Sequence, residues 1–599
     1  TPRSGVKVIE VLGDPLAPRS FSLIAIHKHG IPHVFREEAL AEAEFAARLP
    51  LSEEHREDLR HVPIVAIDPA DARDHDDAIW AEPDGEGGFR AVVAIADVSF
   101  YVRPGGQVDR EARKRGNSVY FPDRVVPMLP EVLSADVCSL KQGEDRAAMA
   151  CHLRIDSHGR VKDWRFTRAL VRIAEVIAYE DAQARIDALE PSPLQGRGLG
   201  EGDVTESADI PRPPTPSPGS AAVPEGQREG ELVLQNLWAA WRALYSARNA
   251  RDPLELELPE RRVMLDEKGR IAEIAVRERL DAHRVVEDFM IAANVAAAKA
   301  LESKASPVVY RVHEPPTREK LVALRDYFKS IGRNLALGQV ITPSLFNRMI
   351  KDIADEGEKA LVMEAVLRSQ TQAYYGPRNM GHFGLSLGSY AHFTSPIRRY
   401  ADLLVHRALV DAFHLEQPAP KGKLPAKSGL SEQDRADLSK VTDAISQTER
   451  RAMEAERDTI DRYVAAWLAG RIGETFPTRI TGVQSFGFFA TIVGLGGDGL
   501  VPVSGLGREY FRYEEGARAL IGEDTGTRYA VGDMIELRLA EANPLTGALK
   551  FEVPDSDGGK PIEPRGKRPE PKKKGRAKHP QGQRGRPANI RHQGRGRKR

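Results

Sequence analysis

The chain has 599 residues, 41% of them hydrophobic and 29% charged, enough to bury several cores and to set an expectation of three or four domains. Its formal net charge is zero, yet residues 560–599 carry 16 Lys and Arg against 2 Glu, so the remainder is acidic by about 14 charges. Only Cys138 and Cys151 are present, without CxxC or paired Cys/His spacing, which argues against a disulfide-stapled or structural-zinc design; with no apolar run near ~18 residues and no signal-peptide pattern, the expected location is the cytoplasm, off the membrane.

Residues 1–45 begin with Thr and hold one short alternating stretch, FSLIAI at Phe21 to Ile26, too little to close a domain, so the chain is expected to start inside a longer protein. The compact apolar strand VPIVAI, Val62 to Ile67, then runs straight into DPADARDHDD, Asp68 to Asp77. Five carboxylates within ten residues repel one another unless hard cations neutralise them, and Mg²⁺ favours a few carboxylates together with water and substrate phosphate. An EF-hand register fails from either Asp71 or Asp74, because the later ligand, Gly and Glu positions are unfilled. On these residues alone an acidic turn stays open as an alternative, since Asp is a favoured turn residue.

Residues 191–230, rich in Pro, Gly and Ser, read as a disordered insertion, and residues 417–428 as a second Pro- and Lys-rich loop. Between them stands HFGL at His382 to Leu385, then YAHFTSPIRRY at Tyr390 to Tyr400, followed by Asp402 and His406. Ser395 before Pro396 predicts a helix start with Arg398 and Arg399 in its first turn. Cations there oppose the macrodipole, so the pair makes better sense facing a phosphate; arginines on a solvated face are the plainer alternative.

Residues 440–470 predict one long helix with Ile445, Met453, Ile460, Tyr463, Val464, Trp467 and Leu468 on one face. Glu449 and Glu456 share that stripe, where a carboxylate is costly unless paired or metal-bound; a structural ion pair is the competing explanation for each. Short strands with Gly turns follow at 478–483, 487–492, 499–503 and 536–539, predicting a small barrel. Phe486 and Phe488, on one strand face near Lys550, are candidate stacking contacts for nucleic acid, with core burial the alternative for either. The tail beyond 554, basic and without aromatics, is expected to be disordered and to attract phosphates, or merely to solubilise. Carboxylates that bind metal beside arginines that bind phosphate point to metal-assisted phosphodiester hydrolysis, whereas no Gly-x-Ser-x-Gly element supports a serine nucleophile.

The stretches IDPADARDHDDAI, RGNSVYFPDRVVPMLPE, EDFMIAANVAAA, GHFGLSLGSYAHFTSPIRRYADLLVHR and EAERD resemble, in order, the catalytic motifs of the ribonuclease II/R (RNB) family, with NSVYFPDRVVPMLPE and the basic tail closer to its R branch. The resemblance implies an α+β fold in which an RNB catalytic domain, a mixed sheet with surrounding helices, is flanked by OB-fold barrels. Residues 1–45 would be the remnant of a cold-shock OB domain and linker, 46–470 the catalytic domain, 471–553 an S-one-type OB domain, and 554–599 the tail. It further implies a processive, hydrolytic 3′→5′ exoribonuclease that releases nucleoside 5′-monophosphates from single-stranded RNA and from structured RNA with a 3′ overhang. Two Mg²⁺ ions, replaceable by Mn²⁺, would be held by Asp68, Asp74, Asp76 and Asp77, with Asp71 outside the set. Asp76 would be the aspartate most needed for catalysis, Arg398 would hold the scissile phosphate, and Glu456 would be the catalytic-region glutamate. Tyr120 would stack on a base near the 3′ end, and Arg399, Phe486, Phe488 and Lys550 would complete the RNA contacts. A monomer with ribosome or degradation-machinery contacts is expected, and the competing function is a catalytically inactive RNA-binding protein of the same fold.

Overall fold

The structure, a computed structural model, describes residue 8 and residues 10–554 except 190–224, 257–260 and positions 268, 277–278, 419, 421, 423, 508 and 517. The expected basic tail from 555 onward and the insertion up to 224 lie outside the described residues.

Two helices lead in, α1 (Arg19–Lys28) and α2 (Glu37–Ala47). The alternating stretch from Phe21 to Ile26 is therefore helical rather than extended: Phe21, Ala25 and Ile26, spaced four and one apart, are all buried, which a two-residue period cannot deliver. The centre is a seven-stranded mixed sheet. Its strands are β1 (Glu57–Asp58), β2 (Val65–Asp68), β3 (Asp77–Pro83), β4 (Phe89–Ala96), β7 (Asp145–Ile155), β8 (Val161–Arg172) and β9 (Glu175–Ala178), with a separate small ladder, β5 (Val119–Tyr120) and β6 (Val125–Val126), between β4 and β7 in the chain. The spatial order is β1-β8-β7-β4-β3-β2-β9, with the two outer pairs parallel and the inner ones antiparallel. In β4 six consecutive residues, Ala91 to Ala96, are buried, the signature of a strand covered on both faces.

Helices α3 (Glu225–Arg251) and α4 (Asp281–Ser303) pack on that sheet and on each other, α3 against β3 and α4 against β4, β7 and β8. Helix α3 starts inside the span expected to be an unstructured insertion, because Val233, Leu234, Leu237, Trp238 and Trp241 recur at helical spacing and the helix extends N-terminally from them. Then come α5 (Tyr400–Ala412) and α6 (Leu438–Leu468).

The long helix α6 agrees with the predicted one to within two residues at each end and joins three cores. Leu438, Val441 and Ile445 belong to the core around the sheet, Ala452 and Ala455 pack with Ala25 and Ile26 of α1, and Val464, Ala465 and Leu468 enter the core of the barrel that follows. Met453, expected on the buried face, is 56% exposed, since the helix turns that flank toward solvent between two cores. Truncating Leu468 to Ala is expected to cost about 2–5 kcal/mol and to loosen the barrel first.

The barrel is closed by five strands, Thr475–Gln484, Gly487–Ile492, Asp498–Pro502, Ala548–Glu552 and Met534–Asn543, the size of an OB fold. A small helical cluster around Phe328, Phe346 and Val366 touches it, with Arg368 donating to the Thr481 carbonyl at 2.9 Å and Arg479 to the Gly357 carbonyl at 2.8 Å. No helix among the described residues is long and apolar enough to cross a membrane.

Candidate active site

The aspartate loop hangs between two adjacent strands of the central sheet, Asp68 being the last residue of β2 and Asp77 the first of β3. Its backbone is fixed from both sides. Ala96 at the end of β4 donates to the Asp76 carbonyl at 2.8 Å, Leu140 donates to the His75 carbonyl at 3.0 Å, and Ser139 Oγ accepts from His75 N at 3.0 Å while donating to the Arg73 carbonyl at 3.2 Å. A loop of like charges is thus carried on the ends of two inner strands of a rigid sheet rather than left to relax.

Asp76 is buried, and its Oδ1 accepts the Ile397 N–H at 2.8 Å. Its Oδ2 has no hydrogen-bond partner and lies 3.6 Å from Arg398 Nε. Burial pushes this carboxyl well above the ordinary carboxylate range, against the pull of Arg398 and the Ile397 N–H. Asp77 is raised to about 7 by burial and by the Asp68 charge beside it, and Asp74 is raised by burial even though Tyr120 donates its hydroxyl to Asp74 Oδ2 at 3.2 Å. Asp68 Oδ2 meets His75 Nδ1 at 2.6 Å, and that hydrogen bond raises the imidazole. Asp71 points elsewhere, paired with Arg262 at 3.1 Å on the surface.

Opposite the loop lies the turn carrying Arg398. Ser395 was expected to cap a helix containing both arginines; instead residues 396–398 form a turn and α5 begins at Tyr400, with Arg399 at its N-cap. The cause is Asp402, fully buried, which accepts Ser395 N at 2.8 Å and a two-pronged grip from Arg399, Nε and Nη2 each at 2.8 Å. The turn is therefore pinned by Asp402 behind and Asp76 in front, and Arg398 reaches Ser395 Oγ at 3.0 Å with its side chain about half exposed. Arg399 still lines the cleft, but its guanidinium is committed to Asp402. Sequence reasoning named Asp402 beside this segment without giving it a role, and did not single out the Ile397 N–H.

Tyr120, 40% exposed at the end of β5, is held by its backbone, whose N–H donates to Glu456 Oε1 at 2.9 Å. Burial raises the Glu456 carboxyl, and burial together with Asp74 raises the Tyr120 hydroxyl. Glu449, two turns earlier on α6, pairs with Arg311 at 2.6 Å, and that guanidinium lies 4.7 Å from the centroid of the Tyr375 ring, so the ion-pair explanation holds for Glu449. Between Ser118, Tyr120, Tyr375, Arg398, Arg399 and Glu449 opens a cavity of about 130 Å³.

On the barrel, Phe488 is fully buried and stacks on Tyr529 at 5.3 Å, so it is core and not an RNA contact. Gly487, at φ +152° and with no room for a Cβ beneath the Val501 carbonyl, opens the strand where expected and turns Phe488 inward. Phe486 and Phe489 are the exposed pair, edge to face at 6.2 Å, and Lys550 is exposed on the last barrel strand.

A family model for the RNB domain matches residues 56–414, spanning the whole sheet, the aspartate loop and the Arg398 turn. The chain belongs to the RNB domain family. This RNB chain is 36% identical over 549 residues to ribonuclease R of Vibrio cholerae, covering 91% of itself and 63% of that relative, so it spans under two thirds of the relative's length. It is likewise 36% identical to ribonuclease R of Aquifex aeolicus, covering 72% of that protein. Among solved structures, RNase R of Mycoplasma genitalium in complex with ribose methylated single-stranded RNA superposes with a TM-score of 0.76 at 24% identity, over 91% of this chain and 79% of that one, which supports the RNB fold with its accompanying barrel.

Proposed function

We propose that the chain is a magnesium-dependent, processive 3′→5′ exoribonuclease that hydrolyses single-stranded RNA, and structured RNA with a 3′ overhang, to nucleoside 5′-monophosphates. The observation that carries the reading is Asp76: a buried carboxylate with one oxygen left without a hydrogen bond, facing an arginine and with the charges of Asp74 and Asp77 beside it. Proteins that share a fold need not share a function, so this site, rather than the fold, carries the reading.

The residues fit a hard divalent cation. No three of their carboxylate oxygens, among the described residues, close to within 4.8 Å of one another, while burial and mutual repulsion raise Asp74, Asp76 and Asp77, the condition that a bound cation relieves. Asp68, Asp74, Asp76 and Asp77 would hold Mg²⁺, which would lower the pKa of an attacking water and offset charge on the leaving 3′-oxygen. Arg398 orients the scissile phosphate from the opposite wall, and its position is set by Asp402 through Ser395. Tyr120 presents its ring to a base in the cleft while Glu456 holds its backbone. Phe486, Phe489 and Lys550 offer a surface on the barrel for single-stranded RNA. The division into catalytic domain, S-one-type barrel and basic tail, and action as a monomer in the cytoplasm, belong to the same proposal; the buried free thiols Cys138 and Cys151 suit a reducing compartment.

A time course on a uniformly labelled oligoribonucleotide, with and without EDTA, tests the reading. Mononucleotides and a short end product that EDTA abolishes are expected. Mid-length fragments would identify an endonuclease, and binding without breakdown in Mg²⁺ would identify the inactive RNA-binding protein.

A further inference from the structure

Among the described residues, one trio of metal-ligating side chains brings its donor atoms within 4.8 Å of one another, and it shares no residue with the aspartate loop: Glu10, His27 and His33. We propose that these three form a second metal site, for a borderline divalent transition metal such as Zn²⁺.

Two of the donors sit on a frame that is already rigid. His27 is the penultimate residue of α1, whose Ala25 and Ile26 are buried with Ile31 against Ala452 and Ala455 of α6. The next two residues tie down the same end, Lys28 and His29 reaching Asp458 at 3.0 and 3.4 Å. The chain then reverses at Gly30, at φ +60°, and returns past the helix end. There the buried Arg115 donates to the carbonyls on either side of His33, that of Pro32 and that of Val34, the latter at 3.0 Å. Both imidazoles are therefore placed by the fold, their rings edge to face with centroids 5.1 Å apart.

The hydrogen bonds also orient the ligands. His33 Nδ1 lies 3.3 Å from the Ile31 carbonyl, which can only accept, a contact that favours the tautomer protonated on Nδ1 and leaves the Nε2 lone pair to a metal. An outer carbonyl fixing the tautomer in this way is the usual support of a metal-bound histidine. His27 Nε2 and Glu10 Oε2 are 3.3 Å apart, matching the roughly 3.3–3.4 Å edge of a tetrahedron whose ligands lie ~2.0–2.1 Å from one zinc ion. A plain ion pair accounts for His27 and Glu10 but not for the convergence of His33 on the same point.

Two imidazoles and one carboxylate, with a position left for water, select zinc-like ions over Mg²⁺, which prefers oxygen donors. The two centres are thus separable by chemistry. Since Glu10 precedes α1, an ion here would fasten the entering chain to the end of that helix, adding a cross-link where the described residues begin.

The test is a calorimetric titration of the full, chelator-stripped chain with ZnCl₂ in excess Mg²⁺, repeated with Co²⁺ for its absorption spectrum. One zinc site with a tetrahedral-type cobalt spectrum is expected, retained in D76N and lost in H27A/H33A. E10Q, which alters no helical residue, should weaken zinc by about tenfold or more. Equal zinc uptake by wild type and H27A/H33A, a cobalt spectrum unchanged by that double substitution, or uptake lost in D76N would overturn the site.

Discussion

Asp97 and Asp76 are both buried aspartates next to arginine, and the residue before Asp97 is bonded to Asp76, Ala96 N donating to the Asp76 carbonyl. Asp97 sits between two fully buried guanidiniums, Arg56 at 3.0 Å and Arg168 at 3.1 Å, and also takes the Ser99 hydroxyl at 2.8 Å. Burial opposes its charge, yet Arg168 and Arg56 outweigh it and hold the carboxyl below the ordinary range. Asp76 has one backbone N–H, one arginine at 3.6 Å on a half-exposed side chain, and the carboxylates of Asp77 and Asp74 for company, so burial wins and its carboxyl rises. The same residue type at the same depth is thus structural where the protein completes its shell and chemically poised where the shell is left short.

The sharpest way to break that comparison is to neutralise each aspartate. D76N should lower RNA turnover roughly a thousandfold or more, the several kcal/mol that charge stabilisation at a metal site supplies, while leaving the melting temperature unchanged or raised because a costly buried charge is gone. D97N should do the reverse, losing about 3–5 kcal/mol of stability by stranding two buried arginines. Thermal unfolding and oligonucleotide decay measured on both variants decide the matter; equal loss of stability in the two would erase the distinction.

The barrel poses the same contrast in aromatic terms. Phe488 is completed by Tyr529 and the barrel core, while Phe486 and Phe489 meet each other on the outside. F488A is expected to cost about 3–5 kcal/mol of stability. F486A/F489A should leave stability within about a kcal/mol and weaken single-stranded RNA by roughly 1–3 kcal/mol for each base stacked. Direct binding titrations of the two variants, each checked by thermal unfolding, separate these outcomes, and an unchanged affinity in F486A/F489A would remove the pair from the interface.

How much of this was legible beforehand follows from where the partners lie in the chain. The aspartate loop was readable because one apolar strand and its carboxylates are contiguous, and α6 because its stripe repeats over thirty-one residues. The partners that decide each role were not. Glu449 meets Arg311 across 138 residues and Glu456 meets Tyr120 across 336, so one carboxylate became a satisfied ion pair and its neighbour a support for the cleft, although both occupy the same helical stripe. The role of Asp402, though the residue was named, was hidden for the opposite reason: it is seven residues from Ser395, but the helix start predicted at Ser395 leaves it no task, and only the observed turn does. In the barrel the strand itself was legible, but the glycine conformation at 487 turns Phe488 inward and leaves Phe489 on the outer face beside Phe486.

The smallest expected effect tests whether the shortfall around Asp76 extends to Asp77. Its carboxyl is raised to about 7 from an ordinary 3.8, so the folded state binds the extra proton. The stability this contributes is fully present below about pH 3.8 and is lost as the pH rises through about 7. Without metal, the wild type should therefore lose about 1 kcal/mol relative to D77N between pH 6 and pH 8, since holding one proton against a tenfold fall in proton activity is worth about 1.36 kcal/mol. Mg²⁺ should cancel the loss, because a bound cation replaces the proton and favours the charged form at higher pH. Denaturant melts of both proteins at the two pH values, each with EDTA or Mg²⁺, give the answer directly. Parallel profiles in EDTA would mean that Asp77 is already compensated as Asp97 is, and the undercompensated region would then shrink to Asp76 and Asp74.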